Sequence, residues 1–169
     1  MNLKWIGTIL IVLFCGGFGF RMVAVHRQKV NELRQLLSAL DLLQSELRYR
    51  LSPLPDLCYL VSNSVSGGVG KLFRRLYEEL EKQIAPDAGC CMNAALSDSD
   101  LSAITARLLK DLGRTLGRFD LDGQVQGIES VRNETLTALE KLVKDQDARL
   151  RSYQTLGLCA GAALAILLL

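Results

Sequence analysis

Residues that carry chemistry or break helices are scarce in this chain of 169 residues. It has one histidine, three prolines and only 6% aromatic residues. Few prolines, and no convincing alternation of apolar and polar residues, favour helices over strands. A net charge of only +2 and few aromatic rings argue against a nucleic-acid-binding protein, which usually shows a basic stripe or a stacking platform.

The sequence also lacks the spacing of a metal or cofactor site. Its five cysteines include no C-x-x-C pair and no Cys/His spacing suited to zinc. The single histidine, His26, lies among basic residues without the partner and pocket that a general base needs. The stretch Asp120–Gly123 (DLDG) resembles the start of a calcium loop, but Val125 stands where an EF-hand requires glycine. We therefore expect no metal and no cofactor.

One glycine-rich stretch, SVSGGVGKL, ends like a phosphate-binding P-loop. Gly70 and Lys71 fit that pattern, but Val65 replaces its first glycine and Leu72 replaces the hydroxyl residue that holds magnesium. No strand precedes the stretch. A turn between two helices is the better interpretation, and a membrane enzyme that binds nucleotide at Gly67–Lys71 is the alternative.

Long apolar runs occupy both ends of the chain. Trp5–Phe20 (WIGTILIVLFCGGFGF) is uncharged, and as a helix the run to Val25 would cover roughly 31 Å, the hydrocarbon thickness of a bilayer. Tyr153–Leu169 would cover roughly 25 Å. The sequence predicts transmembrane helices at residues 1–25 and 153–169. A secretory signal peptide is the alternative for the first run, but the stronger basic cluster follows the run and no A-x-A-like cleavage site is present.

Basic residues flank both runs on the side of the middle segment. By the positive-inside rule, residues 26–152 therefore form a cytoplasmic domain between the two membrane helices. The flanking residues are Arg21, Arg27, Lys29, Lys144, Arg149 and Arg151.

The middle segment has apolar residues at helical spacing throughout. The first predicted helix is VNELRQLLSALDLLQSELRYRL, with a leucine stripe at Leu33, Leu36, Leu37, Leu40, Leu43 and Leu47. Ser52 is expected to cap a second helix, Pro53–Asn63, whose first position is Pro53. SVSGGVG should then break the chain.

Four further helices complete the predicted domain. The first is KLFRRLYEELEKQI, with an apolar face of Leu72, Phe73, Leu76 and Leu80, and a short helix at CCMNAAL follows it. The next is SDSDLSAITARLLKDLGRTLG, with Ser and Asp caps and an apolar face of Leu101, Ile104, Leu108 and Leu112. The last is a long helix from Asp120 to Tyr153. The predicted fold is all-α: a helical bundle of five or six helices between two transmembrane helices.

The stretch DLGRTLGRFDLDGQ, Asp111 to Gln124, is interpreted as a tight corner before the long helix. Gly113 would allow close helix packing, Gly117 a left-handed C-cap, and Asp120 an N-cap. Two arginines of the stretch, Arg114 and Arg118, are four residues apart and share a helix face, where they could meet acidic groups of a partner or of another helix. Arg74 and Arg75 form a second basic patch, which reads first as a solvated helix face with ion pairs.

Four stretches in this order between two apolar runs resemble the stage III sporulation protein AB family. They are LRQLLSALDLLQSEL, SPLPDL, GVGKLFRRLYEEL and LGRTLGRFDLDGQ, with LGRTLG and PLP the most specific parts. The similarity covers essentially the entire chain. It departs at Asp87–Leu96, where family members often have a tryptophan.

The resemblance implies a function that spacing alone does not show. It implies a non-enzymatic membrane platform in the mother cell, part of a secretion-like channel complex with the forespore. The cytoplasmic domain is similar to those of type II secretion and type IV pilus platform proteins. By that analogy it docks a cytoplasmic ATPase, stage III sporulation protein AA. The candidate contact surface, which the analogy does not specify, is Arg114 and Arg118, with Arg74 and Arg75 as a second basic patch. A generic membrane-anchored scaffold unrelated to sporulation is the alternative.

Overall fold

The chain forms helices throughout the part that the structure, a computed structural model, describes. That part covers residues 2–50, 52–82, 87–117 and 120–168, with side chains described only between 25 and 144. It contains no strand and six helices: α1 Asn2–Tyr49, α2 Leu54–Ser64, α3 Gly67–Lys82, α4 Ala88–Ser97, α5 Ala103–Thr115 and α6 Leu121–Leu168. The predicted all-α bundle of five or six helices is confirmed.

Helix α1 lies at the centre of the bundle. It packs against α2, α3, α5 and α6, while α2 pairs with α3 and α4 pairs with both α3 and α5. The predicted leucine stripe is the reason, because Leu33, Leu36, Leu40 and Leu43 are completely buried. Only Leu37 of that stripe stays partly exposed. A helix buried on so much of its circumference can serve as core for several neighbours at once.

Helices α1 and α6 run antiparallel along each other. The His26 ring Nε2 is 3.0 Å from the backbone oxygen of Leu142, and Arg132 Nε donates to Asp41 Oδ1 at 2.6 Å. Residues further along α1 thus contact residues nearer the start of α6. The chain therefore enters the bundle at His26 and leaves it at Leu142, side by side at one end.

A buried carboxylate joins α1 to the start of α5. Glu32 is 5% exposed, and its Oε2 accepts hydrogen bonds from the backbone N–H of Ser102 at 2.9 Å and from Thr105 Oγ1 at 3.2 Å. Gln28 Nε2 donates to its other oxygen at 3.1 Å. The first N–H groups of a helix lack partners and carry partial positive charge, so a carboxylate placed there is stabilising.

One local prediction about a helix start is wrong, and another is confirmed only in part. The N-cap of α2 is Pro53 rather than Ser52, and no side chain caps that helix. The stretch SVSGGVG does break the chain, between the end of α2 at Ser64 and the start of α3 at Gly67, but its glycines form the first turn of α3, which was predicted to start at Lys71. Gly70 is buried there because its backbone passes very close to the backbone oxygen of Val65, which leaves no room for a side chain.

The structure gives no support to the two predicted membrane spans. Within the part of the chain that it describes, no helix has both the length and the apolar character needed to cross a membrane. The described parts of these spans, residues 2–25 and 153–168, belong to the outer ends of α1 and α6, where all side chains except that of Val25 lie outside the described residues. The spans stay a prediction from the sequence.

Replacing Gly70 with alanine is expected to lower the free energy of unfolding by about 2 kcal/mol, because overpacking forces the backbone to shift. The new methyl carbon would overlap the backbone oxygen of Val65. Thermal unfolding followed by circular dichroism measures the loss. Gly68→Ala is the matched control, since its new carbon would meet only the movable end of the Leu101 side chain, at 2.7 Å. An equal loss in the two variants would contradict this explanation of Gly70.

Candidate functional site

Gly117 and Asp120 form the predicted corner between α5 and α6. Leu116 caps α5 and Gly117 follows with a φ of +74°, the left-handed conformation that favours glycine. Asp120 Oδ1 then accepts a hydrogen bond from the Gly123 N–H at 3.1 Å, at the start of α6. Gly113 packs against Met92 of α4, where a Cβ would lie 2.7 Å from the Met92 Cβ. The interpretation of the two glycines as packing and turning residues is confirmed.

The structure describes only one of the two arginines predicted on this corner. Arg114 is exposed and forms an ion pair with Asp111 Oδ1 at 3.1 Å, one turn earlier on the same helix. Such a surface pair contributes little to stability, and its charge is already partly compensated. Arg118 lies outside the residues that the structure describes. The partner-contact role of both stays a prediction.

Arg74, in the second patch, lies over an aromatic ring of the neighbouring helix. Its guanidinium carbon lies 5.3 Å from the centre of the Tyr59 ring, a cation–π contact between α3 and α2. The Tyr59 ring in turn lies 5.4 Å from that of Tyr77, tilted by 55°. The two tyrosines extend this patch beyond the residues named from the sequence.

Arg75 ties α3 to the end of α4. Its guanidinium donates a hydrogen bond to the backbone oxygen of Asp98, the C-cap residue of α4. The unpaired carbonyls at a helix end attract such cations. Arg75 therefore has a structural contact of its own, whatever else it binds.

The two predicted patches are not brought together. Arg75 is bound beside the start of α5, whereas Arg114 stands in its last turn. The intervening helix, Ala103–Thr115, is roughly 18 Å long, and α3 does not pack against α5. They are two separate surfaces.

Two features escaped the sequence analysis for different reasons. Tyr59 and Arg74 belong to different helices, so no spacing rule could pair them. Glu32 was not singled out from the sequence, although it is the only buried charged residue among those described between 25 and 144. Gln28 and Glu32, four apart on one helix, were the only local signal.

The three described cysteines are free thiols. Cys58 and Cys91 are buried, whereas Cys90 is exposed. Burial raises the pKa of Cys58 to about 12, with a smaller contribution from Cys91. A hydrogen bond to Asp87 and the negative charge of Asp87 raise the pKa of Cys90. Burial is the main cause that raises the pKa of Cys91. No group of three or more potential ligands within the described residues is arranged to hold a metal ion.

Fold and surface define a helical-bundle protein that presents separate arginine patches. The chain belongs to the stage III sporulation protein AB family, whose model matches residues 4–169. It is 27% identical over 175 residues to stage III sporulation protein AB of Bacillus subtilis (strain 168), with 99% of each chain covered. A solved structure of a stage III sporulation protein AB superposes with a TM-score of 0.64 at 23% identity, covering 72% of this chain and 98% of that chain. The structural match shows a shared fold.

Thiol labelling should separate Cys90 from the two buried cysteines. In the folded protein, maleimide is expected to modify Cys90, and more slowly than a free thiol at the same pH, because its raised pKa leaves less of the reactive thiolate. The rate should increase as the pH rises. Cys58 and Cys91 should react only after unfolding. Peptide mass mapping assigns each site, and labelling of Cys58 before Cys90 would contradict the described packing.

Proposed function

We propose that this chain is a non-enzymatic membrane platform of a sporulation-specific, secretion-like channel complex between mother cell and forespore. In this proposal residues 1–25 and 153–169 are transmembrane helices and residues 26–152 the cytoplasmic domain. The chain sits in the mother-cell membrane around the forespore. It docks the secretion-type ATPase stage III sporulation protein AA and assembles with other stage III sporulation membrane proteins. Membership of the stage III sporulation protein AB family supports a role in sporulation.

The antiparallel pairing of α1 and α6 is the observation that carries the platform proposal. The contact between His26 and Leu142 places the two exits from the bundle side by side. Both apolar ends of the chain can then enter one membrane from the same side. The basic residues near those exits, Arg27, Lys29, Lys141 and Lys144, suit the cytoplasmic face, because cytoplasmic segments next to membrane helices are enriched in Lys and Arg.

The proposed mechanism is mechanical. Helix α6 runs from Leu121 to Leu168 without a break, so it would join the bundle directly to the second membrane helix. Its length is roughly 70 Å. A push or rotation that the ATPase applies to the bundle would be transmitted along this stiff helix. The proposed contact surfaces are the two patches, Arg114 with Arg118 and Arg74 with Arg75.

A generic membrane-anchored scaffold is the second candidate function, and the exposed arginine patches alone would suit it equally. It predicts that deleting the gene leaves spore formation intact. The family membership favours the sporulation role instead.

Recruitment to membranes tests the proposal. The full-length chain is reconstituted in lipid vesicles, the ATPase is added, and flotation measures how much of it co-migrates. We expect the ATPase to float only with vesicles that contain this chain, since the bundle is its docking platform. Protein-free vesicles are the control for direct lipid binding. Equal recruitment to both kinds of vesicle, or none to either, would contradict the proposed function.

A further inference from the structure

Tyr59, Arg74 and Tyr77 form one continuous feature on the outer face of α2 and α3, which we call the Tyr–Arg cluster. Tyr59 is 46% exposed and lies in contact with both other members. A tyrosine in a bundle core would be covered by apolar side chains. Here the ring is half open to solvent and its neighbours are a guanidinium group and a second tyrosine.

The composition of the cluster is typical of the residues that dominate binding energy at protein interfaces. Tyrosine and arginine are enriched among such residues, because they combine a large apolar area with hydrogen-bonding groups. Stacking of Arg74 on Tyr59 also restrains a long side chain before any partner arrives. Restraint in the free protein lowers the entropic cost of binding.

The cations on this face lack acidic partners. Within the described residues, neither Lys71 nor Arg74 makes an ion pair, and Arg75 donates to a backbone oxygen rather than to a carboxylate. Glu78, one turn beyond Arg74, is not within ion-pair distance of it. Arg114 differs, since Asp111 already pairs with it. Among the described residues, the first half of α3 thus offers three cations without a carboxylate partner, beside the half-exposed ring of Tyr59.

We propose that the Tyr–Arg cluster is the docking surface for an acidic patch on a partner protein. A carboxylate of the partner would accept hydrogen bonds from the guanidinium group of Arg74, and an apolar side chain would cover the open part of Tyr59. This inference rests on the proposed function, in which that partner is the ATPase. Of the two proposed contact surfaces, it makes the α2–α3 face the dominant one, since Arg114 is already paired with Asp111.

The position of the cluster agrees with a docking surface that transmits force. Helices α2 and α3 do not touch α6, and both pack against α1. A load on the cluster would therefore reach the membrane-directed ends of the chain through α1 or, by way of α4 and α5, through α6.

The test measures the affinity of the full-length chain, in lipid nanodiscs, for the ATPase. Tyr59→Ala and Arg74→Glu are each expected to weaken binding by about tenfold or more, as removal of a dominant interface residue does. Tyr59→Phe keeps the ring under Arg74 and should stay within about twofold of the unmodified chain, whereas Arg74→Lys should lose affinity, because lysine lacks the planar guanidinium. Added salt should lower the ATPase affinity of the unmodified chain more than that of the Arg74→Glu variant, because salt screens the attraction between Arg74 and the acidic partner.

Matched controls come from the far end of α1. Tyr49 is 81% exposed, and Arg48 is an exposed arginine without an ion pair among the described residues. Tyr49→Ala and Arg48→Glu remove the same groups elsewhere and should leave the affinity within about twofold, since they lie outside the dominant contact. Circular dichroism confirms that each variant is folded.

The outcomes separate the inference from the function on which it rests. If the unmodified chain binds the ATPase and the folded cluster variants bind equally well, the inference is wrong and the platform proposal stands. If the unmodified chain binds no ATPase, both fail. If the cluster variants change only the self-association of the chain, measured by sedimentation, the surface binds a second copy and the inference is overturned.

Discussion

The burial of α1 is the constraint on which the rest of the bundle depends. Leu33, Leu36, Leu40 and Leu43 have no exposed surface, and α1 packs against α2, α3, α5 and α6. Each leucine of this kind contributes roughly 2 kcal/mol or more of burial energy. The same helix also carries Glu32, whose carboxylate fixes the start of α5. Apolar and polar contacts of α1 thus determine where its neighbours lie.

In this arrangement α1 contacts both the helices of the proposed docking surface and α6, the helix proposed to lead to the membrane. The α2–α3 pair, which carries the Tyr–Arg cluster, packs on α1, and α6 packs along α1 in antiparallel orientation. Because α2 and α3 reach α6 only through other helices, coupling between them requires a bundle that responds as a unit. Close packing of side chains makes such a response physically reasonable, since packed interiors have low compressibility.

Local patterns were predictable from the sequence, and contacts between distant segments were not. The period of the leucines identified the buried face of α1, and Asp120 and Gly117 identified the corner. The apolar face of α5 was predicted less well: Ile104 is 38% exposed while Leu109 is buried, since neighbouring helices decide how wide a face is covered. The break before α3 was predicted, but the place of the glycines in its first turn was not, because that turn is crowded by Val65, Leu101 and Gln35, and no local pattern shows such contacts. The pairing of Tyr59 with Arg74 required the fold itself.

Hydrogen exchange of a Leu40→Ala variant tests most directly whether α1 unites the bundle. The cavity should cost about 3 kcal/mol, so the slowest amides of α1, α2, α3, α5 and α6 should all exchange about a hundredfold faster, together. Ser38→Ala, on the exposed side of the same helix, should leave the rates nearly unchanged. Faster exchange confined to α1 and one neighbour would show that the helices unfold separately. A bundle of that kind could not carry a load from the α2–α3 face to α6.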